Sequence, residues 1–262
     1  MQLALFQVLD ELGERLPDAL SVARWPGGLC NRLYKIDTAD GVFALRINHP
    51  DADRLGVNRD REQRLLISLA DQPWCPTTLS VNERWLLTPW LPGNAPAAGE
   101  HADLAWLATA LTAVQAVEVP GPALNIAEQI RHLLAYCDDL NPAFVSAVEQ
   151  RCSTYQLPTR LTLTHHDWHP GNVKIDGKNW VLLDWEFAAL GDPAMDLAAV
   201  CSGFALSAEQ GGKLADVMDI EADRLHQAQA MMSALATVWY AANPDLAPPN
   251  APSQVEWLGK WN

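Results

Sequence analysis

Basic residues are scarce in this sequence: 18 Lys and Arg stand against 32 Asp and Glu in 262 residues, a formal net charge of -14. A summed field of that sign repels polyanions, which excludes nucleic-acid binding as the main role and favours cationic partners. Close cysteine pairs are missing as well. Cys30, Cys75, Cys137, Cys152 and Cys201 are odd in number and widely scattered, which argues against a zinc site or a redox motif and for reduced thiols in the cytosol. Nor is there a basic, apolar leader. Met1 to Leu20 has no basic start, and Asp10, Glu11 and Glu14 fall within its apolar residues, so neither a signal peptide nor a membrane span is supported. A cytoplasmic protein with no membrane partner is expected. What the chain has in quantity is apolar residues, 49% against 19% charged, enough to bury a substantial core. Its length fits either one large domain or two lobes sharing a cleft.

Organisation follows from periodicity and punctuation. Leu3, Leu5, Phe6, Leu9, Leu12 and Leu16 recur at helical spacing up to Pro17, predicting an opening amphipathic helix. Pro26-Gly27-Gly28 breaks the chain. Leu33 to Asp37 and Val42 to Ile47 read as strands of a hairpin around Thr38-Ala39-Asp40-Gly41. A helix is predicted from about Asp60 to Ala70, and a strand over Trp85 to Leu91. Beyond Pro92-Gly93-Asn94-Ala95-Pro96 the pattern turns mainly helical, over Ala102 to Val117 and Ile126 to Cys137, with Asn141-Pro142 as cap and first-turn proline of a third helix. The expected division is therefore residues 1–92 and 93–262. After Asn243 the chain is proline-rich but carries Trp257 and Trp261, which reads as a tail packed on the body.

The segment from Leu161 to Leu197 carries the chemistry. A strand, Leu161-Thr162-Leu163-Thr164, leads into His165-His166-Asp167 and a loop with Pro170 and Gly171. Two short strands, Val173 to Ile175 and Trp180 to Leu183, follow around a turn at Asp176-Gly177 and end at Asp184. Asp167, Asn172 and Asp184 thus emerge from neighbouring strand ends. Phosphoryl transfer needs such a set, because it is mainly positioning and charge neutralisation: a carboxylate orients the attacking hydroxyl, and hard oxygen ligands hold magnesium against the phosphates. Asp167 and Asn172 are four residues apart, as in the pattern His-x-Asp-x-x-x-x-Asn. Taken singly, a strand-ending Asp184, an Asn172 in a turn and an Asp196 at a helix N-terminus are ordinary. Their order, with apolar strands between them, is what carries weight.

This segment resembles the aminoglycoside phosphotransferase and choline kinase superfamily, relatives of protein kinases, and the resemblance extends over most of the chain. It implies an α+β, protein-kinase-like fold with a small antiparallel-sheet N-terminal lobe and a mainly helical C-terminal lobe, and ATP with Mg2+ in the cleft. It also implies that Asp167 is the catalytic base, that Asn172 and Asp184 bind the magnesium, that Asp196 braces the catalytic loop and that His165 is structural. Gly27-Gly28-Leu29-Cys30-Asn31 then resembles a phosphate-approaching loop, with Gly27, Gly28 and Asn31 on the nucleotide side. Phe43-Ala44-Leu45-Arg46-Ile47 is similar to the strand that places a cation on the phosphates, with Arg46 pairing with Glu62. Arginine instead of lysine at that position is similar to choline and thiamine kinases. Trp85 to Gly93 looks like the lobe connector, where the Pro89 carbonyl and the Leu91 amide would meet the adenine edge.

On the acceptor side, Trp168 follows Asp167, and Trp185 and Glu186 follow Asp184. Aromatic faces and a carboxylate would suit a small cation bearing a hydroxyl, such as choline, ethanolamine or thiamine. Core packing is the competing reading for these tryptophans. Polycationic aminoglycosides also suit an acidic site, and a non-catalytic nucleotide-binding module is the alternative outside enzymes.

Overall fold

The computed structural model describes residues 2–16 and 18–261. Pro17, read as the end of the first helix, and the side chain of Leu3 lie outside the described residues. Helix α1 (Gln2–Leu12) precedes an antiparallel sheet of β1 (Ala19–Arg24), β2 (Arg32–Thr38), β3 (Val42–Ile47), β4 (Ser80–Val81) and β5 (Trp85–Pro89), in the order β1-β2-β3-β5-β4. The hairpin forms where it was expected. Thr38 Oγ1 accepts from the Asp40 amide and donates to the Gly41 carbonyl, closing the turn.

Alternation sorts the sheet's two faces. Tyr34, Ile36, Leu45 and Leu87 pack with Val8 and Leu12 of α1 in one small core. Leu33, Arg46 and Leu86 stand opposite one another across the ladder, so Arg46 points to the other face, towards the rest of the molecule. Strand β1 was not anticipated. All six of its residues are exposed, so burial imposes no pattern on this edge strand. Between β3 and β5 lies α2 (Arg59–Ser68), capped by Asn58, whose side chain accepts from the Arg61 amide.

Helices dominate after residue 93: α3 (Leu104–Gln115), α4 (Ile126–Leu134), α5 (Pro142–Thr154), α6 (Pro193–Gly203), α7 (Ala208–Val217), α8 (Ala222–Ala242) and α9 (Gln254–Trp261). Asp103, Asn125, Asn141 and Asp192 each cap the helix they precede. Short strands β6 (Thr162–Thr164) and β9 (Ala189–Gly191) pair with each other, as do β7 (Val173–Asp176) and β8 (Asn179–Leu182). Gly93 presses on β7, where an added Cβ would lie 2.6 Å from the Ile175 carbonyl oxygen. Asn94 bridges to the same residue. The tail is packed as anticipated, with Trp257 and Trp261 buried in the main core.

The segment between β3 and α2 crosses to the helical half. Arg54 Nε donates to the Ala242 carbonyl at 2.6 Å, Trp239 Nε1 to the Leu55 carbonyl at 3.0 Å and Gln129 Nε2 to the Gly56 carbonyl at 2.9 Å. Leu55 is fully buried beneath these bonds. Among the described residues, no helix is long and apolar enough to cross a membrane.

Candidate active site

The loop after β6 is built around one buried carboxylate. Asp196, in the first turn of α6, accepts from the His165 amide at 2.8 and 3.0 Å, from the His166 amide at 2.7 Å and from Trp168 Nε1 at 3.0 Å. Those bonds hold the chain through His166, whose φ of 67° is left-handed. Without an outside acceptor, three buried donors would be orphaned. Helix α6 sits close enough to supply it because Gly203 has no side chain: a Cβ there would fall 1.9 Å from the Trp168 carbonyl oxygen. His165 bonds the Leu183 carbonyl through Nε2 at 2.9 Å, which makes Nε2 the protonated nitrogen and leaves Nδ1 to accept from the Asp167 amide at 3.3 Å. The Leu183 amide in turn donates to the Asn172 carbonyl at 2.7 Å. Loop and β8 end are thereby locked together.

Asp167 and Asn172 meet directly. Asn172 Nδ2 donates to Asp167 Oδ2 at 2.8 Å and to the Asp167 carbonyl at 2.9 Å. That orientation leaves Asn172 Oδ1 without a protein partner among the described residues, free to take a cation. His169 Nε2 stands 3.7 Å from Asp167 Oδ2, and its Nδ1 accepts from the Gly171 amide. Burial works to raise the Asp167 carboxyl, but His169, His165 and the Asn172 amide outweigh it and hold the group below the usual carboxylate range.

Asp184 projects from a residue with φ of 63° just beyond β8. Its Oδ1 accepts from Arg46 Nη1 at 2.7 Å, while Arg46 Nη2 reaches Glu62 Oε1 at 2.5 Å. The pairing of Arg46 with Glu62 is present in the geometry expected for it. A second arginine extends this network: Arg59 Nη1 donates to Glu62 Oε2 and to Glu186 Oε2, both at 2.8 Å, and Nη2 to Asn31 Oδ1 at 3.2 Å. Three carboxylates, those of Glu62, Asp184 and Glu186, therefore pair with two guanidinium groups, and the charge of Asp167 acts on Asp184 as well. Burial, then the charge of Glu186, pushes the Asp184 carboxyl up to about 7 despite Arg46. Among the described residues no three His, Cys, Asp or Glu side chains form a self-sufficient metal cage. A hard-oxygen pair such as Asn172 and Asp184 fits magnesium, which completes its shell with phosphates and water.

A cavity of about 1250 Å³ joins these parts, running from Gly27 and Gly28 past Asp167, Asn172 and Asp184 to Trp239 and Tyr240 on α8. Gly27 and Gly28 adopt φ of 120° and 77°, which only glycine takes readily. Pro89 and Leu91 lie on the connector, outside that lining. One expectation needs correction. The side chains of Trp168 and Trp185 are 1% and 0% exposed, with their N–H groups on Asp196 and the Leu182 carbonyl, so they are core and not walls of an acceptor site. Glu186, 3% exposed, lines the cavity and is bonded to Arg59 and Asn31. Asn31 lines it as well, with its side chain on Glu186 and the His49 amide. Sequence reading missed Arg59, Trp239 and Tyr240. Arg59, directly after the α2 cap, was open to discovery through its spacing of three from Glu62, whereas the α8 aromatics carried no local signal.

A strand-rich part followed by a helical one, with Asp167, Asn172 and Asp184 lining one cavity, defines a protein-kinase-like fold. The chain belongs to the phosphotransferase enzyme family, whose model matches residues 21–226. Its relatives include the thiamine kinase of Escherichia coli, 28% identical over 210 residues, which cover 73% of this chain and 70% of that protein. Among solved structures it is similar to the choline kinase LicA from Streptococcus pneumoniae, with a TM-score of 0.79, 16% identity, and coverage of 98% of this chain and 96% of that one. LicA is also known in complex with AMP. A choline/ethanolamine kinase family protein from Mesorhizobium loti matches with a TM-score of 0.71 and 19% identity over 98% of this chain and 91% of that chain. The protein is thus a phosphotransferase.

Proposed function

We propose that the protein transfers the γ-phosphoryl group of ATP to the hydroxyl of a small cationic metabolite of the choline, ethanolamine or thiamine type. In this reading residues 1–92 form the nucleotide-binding lobe, with Arg46 and the backbone at Gly27 and Gly28 on the phosphates and the connector at Pro89 and Leu91 on the adenine edge. Residues 93–262 carry catalysis and the acceptor. The observation that carries the proposal is the Asp167 carboxylate, fixed by Asn172 and open to the same cavity that Asp184 and the glycine loop line.

Each residue then has a physical task. Asp167, held deprotonated by its neighbours, orients the acceptor hydroxyl and takes its proton. Asn172 Oδ1 and Asp184 would hold the metal, and Arg46 keeps Asp184 aimed while Glu62 fixes Arg46. Magnesium-bound ATP supplies an activated phosphoryl donor whose charge the metal neutralises. Carboxylates outnumber guanidinium groups in this cluster, which suits a divalent ion. On the acceptor side, Trp239 and Tyr240 line the cavity. Tyr240 shares that cavity with Asp167, and burial, then the charge of Asp167, raises its phenol. An aromatic wall beside a carboxylate, in a chain of net charge -14, favours a cation.

The test is ADP release over a panel of choline, ethanolamine, thiamine, sugars and aminoglycosides. Turnover concentrated on the amino alcohols or thiamine supports the reading, turnover on aminoglycosides replaces the acceptor class, and tight nucleotide binding without turnover on any acceptor removes the kinase. Replacing Asp167 with Asn should lower kcat by about 10²–10⁴ with little change in KM for ATP.

A further inference from the structure

The cavity that holds Asp167 has a volume of about 1250 Å³, above the roughly 300–1,000 Å³ of an ordinary small-molecule pocket. An adenine slot at the lobe connector does not account for the excess, because Pro89 and Leu91 lie outside the lining. The space instead follows α8. Gln229, Met232, Ser233, Ala236 and Tyr240 all line it, and they recur at intervals of three and four residues, which puts them on one stripe of the helix. With a rise of about 1.5 Å per residue, the wall from Tyr240 to Gln229 is roughly 16 Å long. Helix α6, packed on α8, contributes Ala199, Cys201 and Ser202 to the same lining.

Charge is unevenly spread over that lining. Arg61, Asp167, Asp184 and Glu186, with His166 and His169, belong to α2, the catalytic loop and the end of β8. Along α8 from Tyr240, the next titratable side chain in the lining is His226, about 21 Å away on the helix axis. Every α8 side chain that lines the cavity between those two is uncharged, and so are those that α6 contributes. Gln229, beside the Cys201 thiol, Ser202 and Ser233 offer hydrogen bonds without charge. Such a wall cannot compensate a cation, so the positive group of an acceptor stays at the Asp167 end. Choline and ethanolamine hold their nitrogen within about 4 Å of the hydroxyl. With that hydroxyl at Asp167, either molecule leaves most of the wall bare.

We propose that the acceptor has two parts: a cationic head that brings its hydroxyl to Asp167, and an uncharged, mainly apolar body that lies along α8 between Tyr240 and Gln229. This inference rests on the kinase reading above and narrows its acceptor class, since amino alcohols that lack such a body become poor acceptors. Ser233 and Ala236 are the specificity-determining residues, because their small side chains leave the room that the body takes.

The experiment is steady-state ADP release with magnesium and ATP over a series of N-alkyl-N,N-dimethylethanolammonium salts, from methyl, which is choline, to hexyl. The head stays constant and only the body grows. A rise in kcat/KM of about tenfold or more from methyl to hexyl is expected, since each buried methylene is worth up to about fourfold. Ser233→Leu and Ala236→Leu fill the wall, so the hexyl-to-methyl ratio should fall towards one in each. Melting curves check folding, and Ser233→Val replaces either variant that does not fold. A flat series in the wild type, or a ratio unchanged in the folded variants, overturns the proposal. Absence of turnover on every member removes the kinase reading for this head group and leaves the wall to be decided by binding. The same salts are then titrated calorimetrically into the full chain with magnesium and a non-hydrolysable ATP analogue present. Affinity that rises with chain length in the wild type but not in Ala236→Leu supports the two-part acceptor, and any other pattern overturns it.

Discussion

Replacing Asp196 with Asn tests how the catalytic loop is held. The substitution keeps the side-chain volume, and the amide oxygen in the Oδ1 position still accepts from the His165 and His166 amides at 2.8 and 2.7 Å. What changes is Oδ2. It now becomes an NH2 facing Trp168 Nε1–H, where the acid accepts at 3.0 Å, and facing the second branch from the His165 amide, also at 3.0 Å. One charge-assisted bond becomes a donor against a donor, and the remaining bonds lose their charge. At roughly 1.5–3 kcal/mol for a bond to a charged group, plus an unsatisfied buried N–H, a loss of about 3 kcal/mol is expected. In a chain of this size that corresponds to a fall in Tm of about 6–10 °C. Urea unfolding measures it. Trp168→Phe removes the opposing donor, so the double variant should be less destabilised than the sum of the two by about 1–2 kcal/mol. Strict additivity of the two changes, or an Asp196→Asn protein as stable as wild type, refutes the claim that this carboxylate supports the loop through the indole.

Further outcomes follow from the same geometry. Arg46→Lys offers one point charge where a planar fork now spans Glu62 and Asp184, so KM for ATP should rise about tenfold, read by steady-state kinetics. Gly203→Ala brings a Cβ within 1.9 Å of the Trp168 carbonyl oxygen, a backbone atom held by the loop, so α6 must part from the loop and both Tm and kcat should drop. Glu62 gives a pH signature. Burial opposes its ionisation, but Arg46 and Arg59 prevail and lower its pKa from the ordinary 4.5. A carboxylate depressed in the folded state contributes stability that is complete above its unfolded pKa and is lost as pH falls through the folded value. The stability gap between wild type and Glu62→Gln should therefore be full at neutral pH and shrink below about pH 4.5, as followed by urea unfolding across pH.

Much of the catalytic loop was legible because its information is local. His165, Asp167, Asn172 and Asp184 fall within 20 residues, and short strands with a tight turn between them leave few ways to arrange their ends. The hairpin at Thr38 to Gly41 and the cap at Asn141 were equally local in kind. Neighbours in sequence misled where direction mattered. Trp168 and Trp185 adjoin the key acids, yet successive side chains in extended backbone point to opposite sides, and both indoles turn into the core.

Taken by itself, the order of residues determined the chemistry on offer: an acid, an amide and a second acid at kinase spacing, an arginine on a strand, an acidic surface and a core-forming apolar content. Tertiary structure alone decided what shares the cavity with them. Trp239 and Tyr240 are about 70 residues from Asp167 and sit on a helix buried on several sides, so no apolar stripe marked the face they use. Only the packing of α8 against α4 and α6, and the crossing of Leu55 and Gly56 onto it, brings them to the cavity that Asp167 lines.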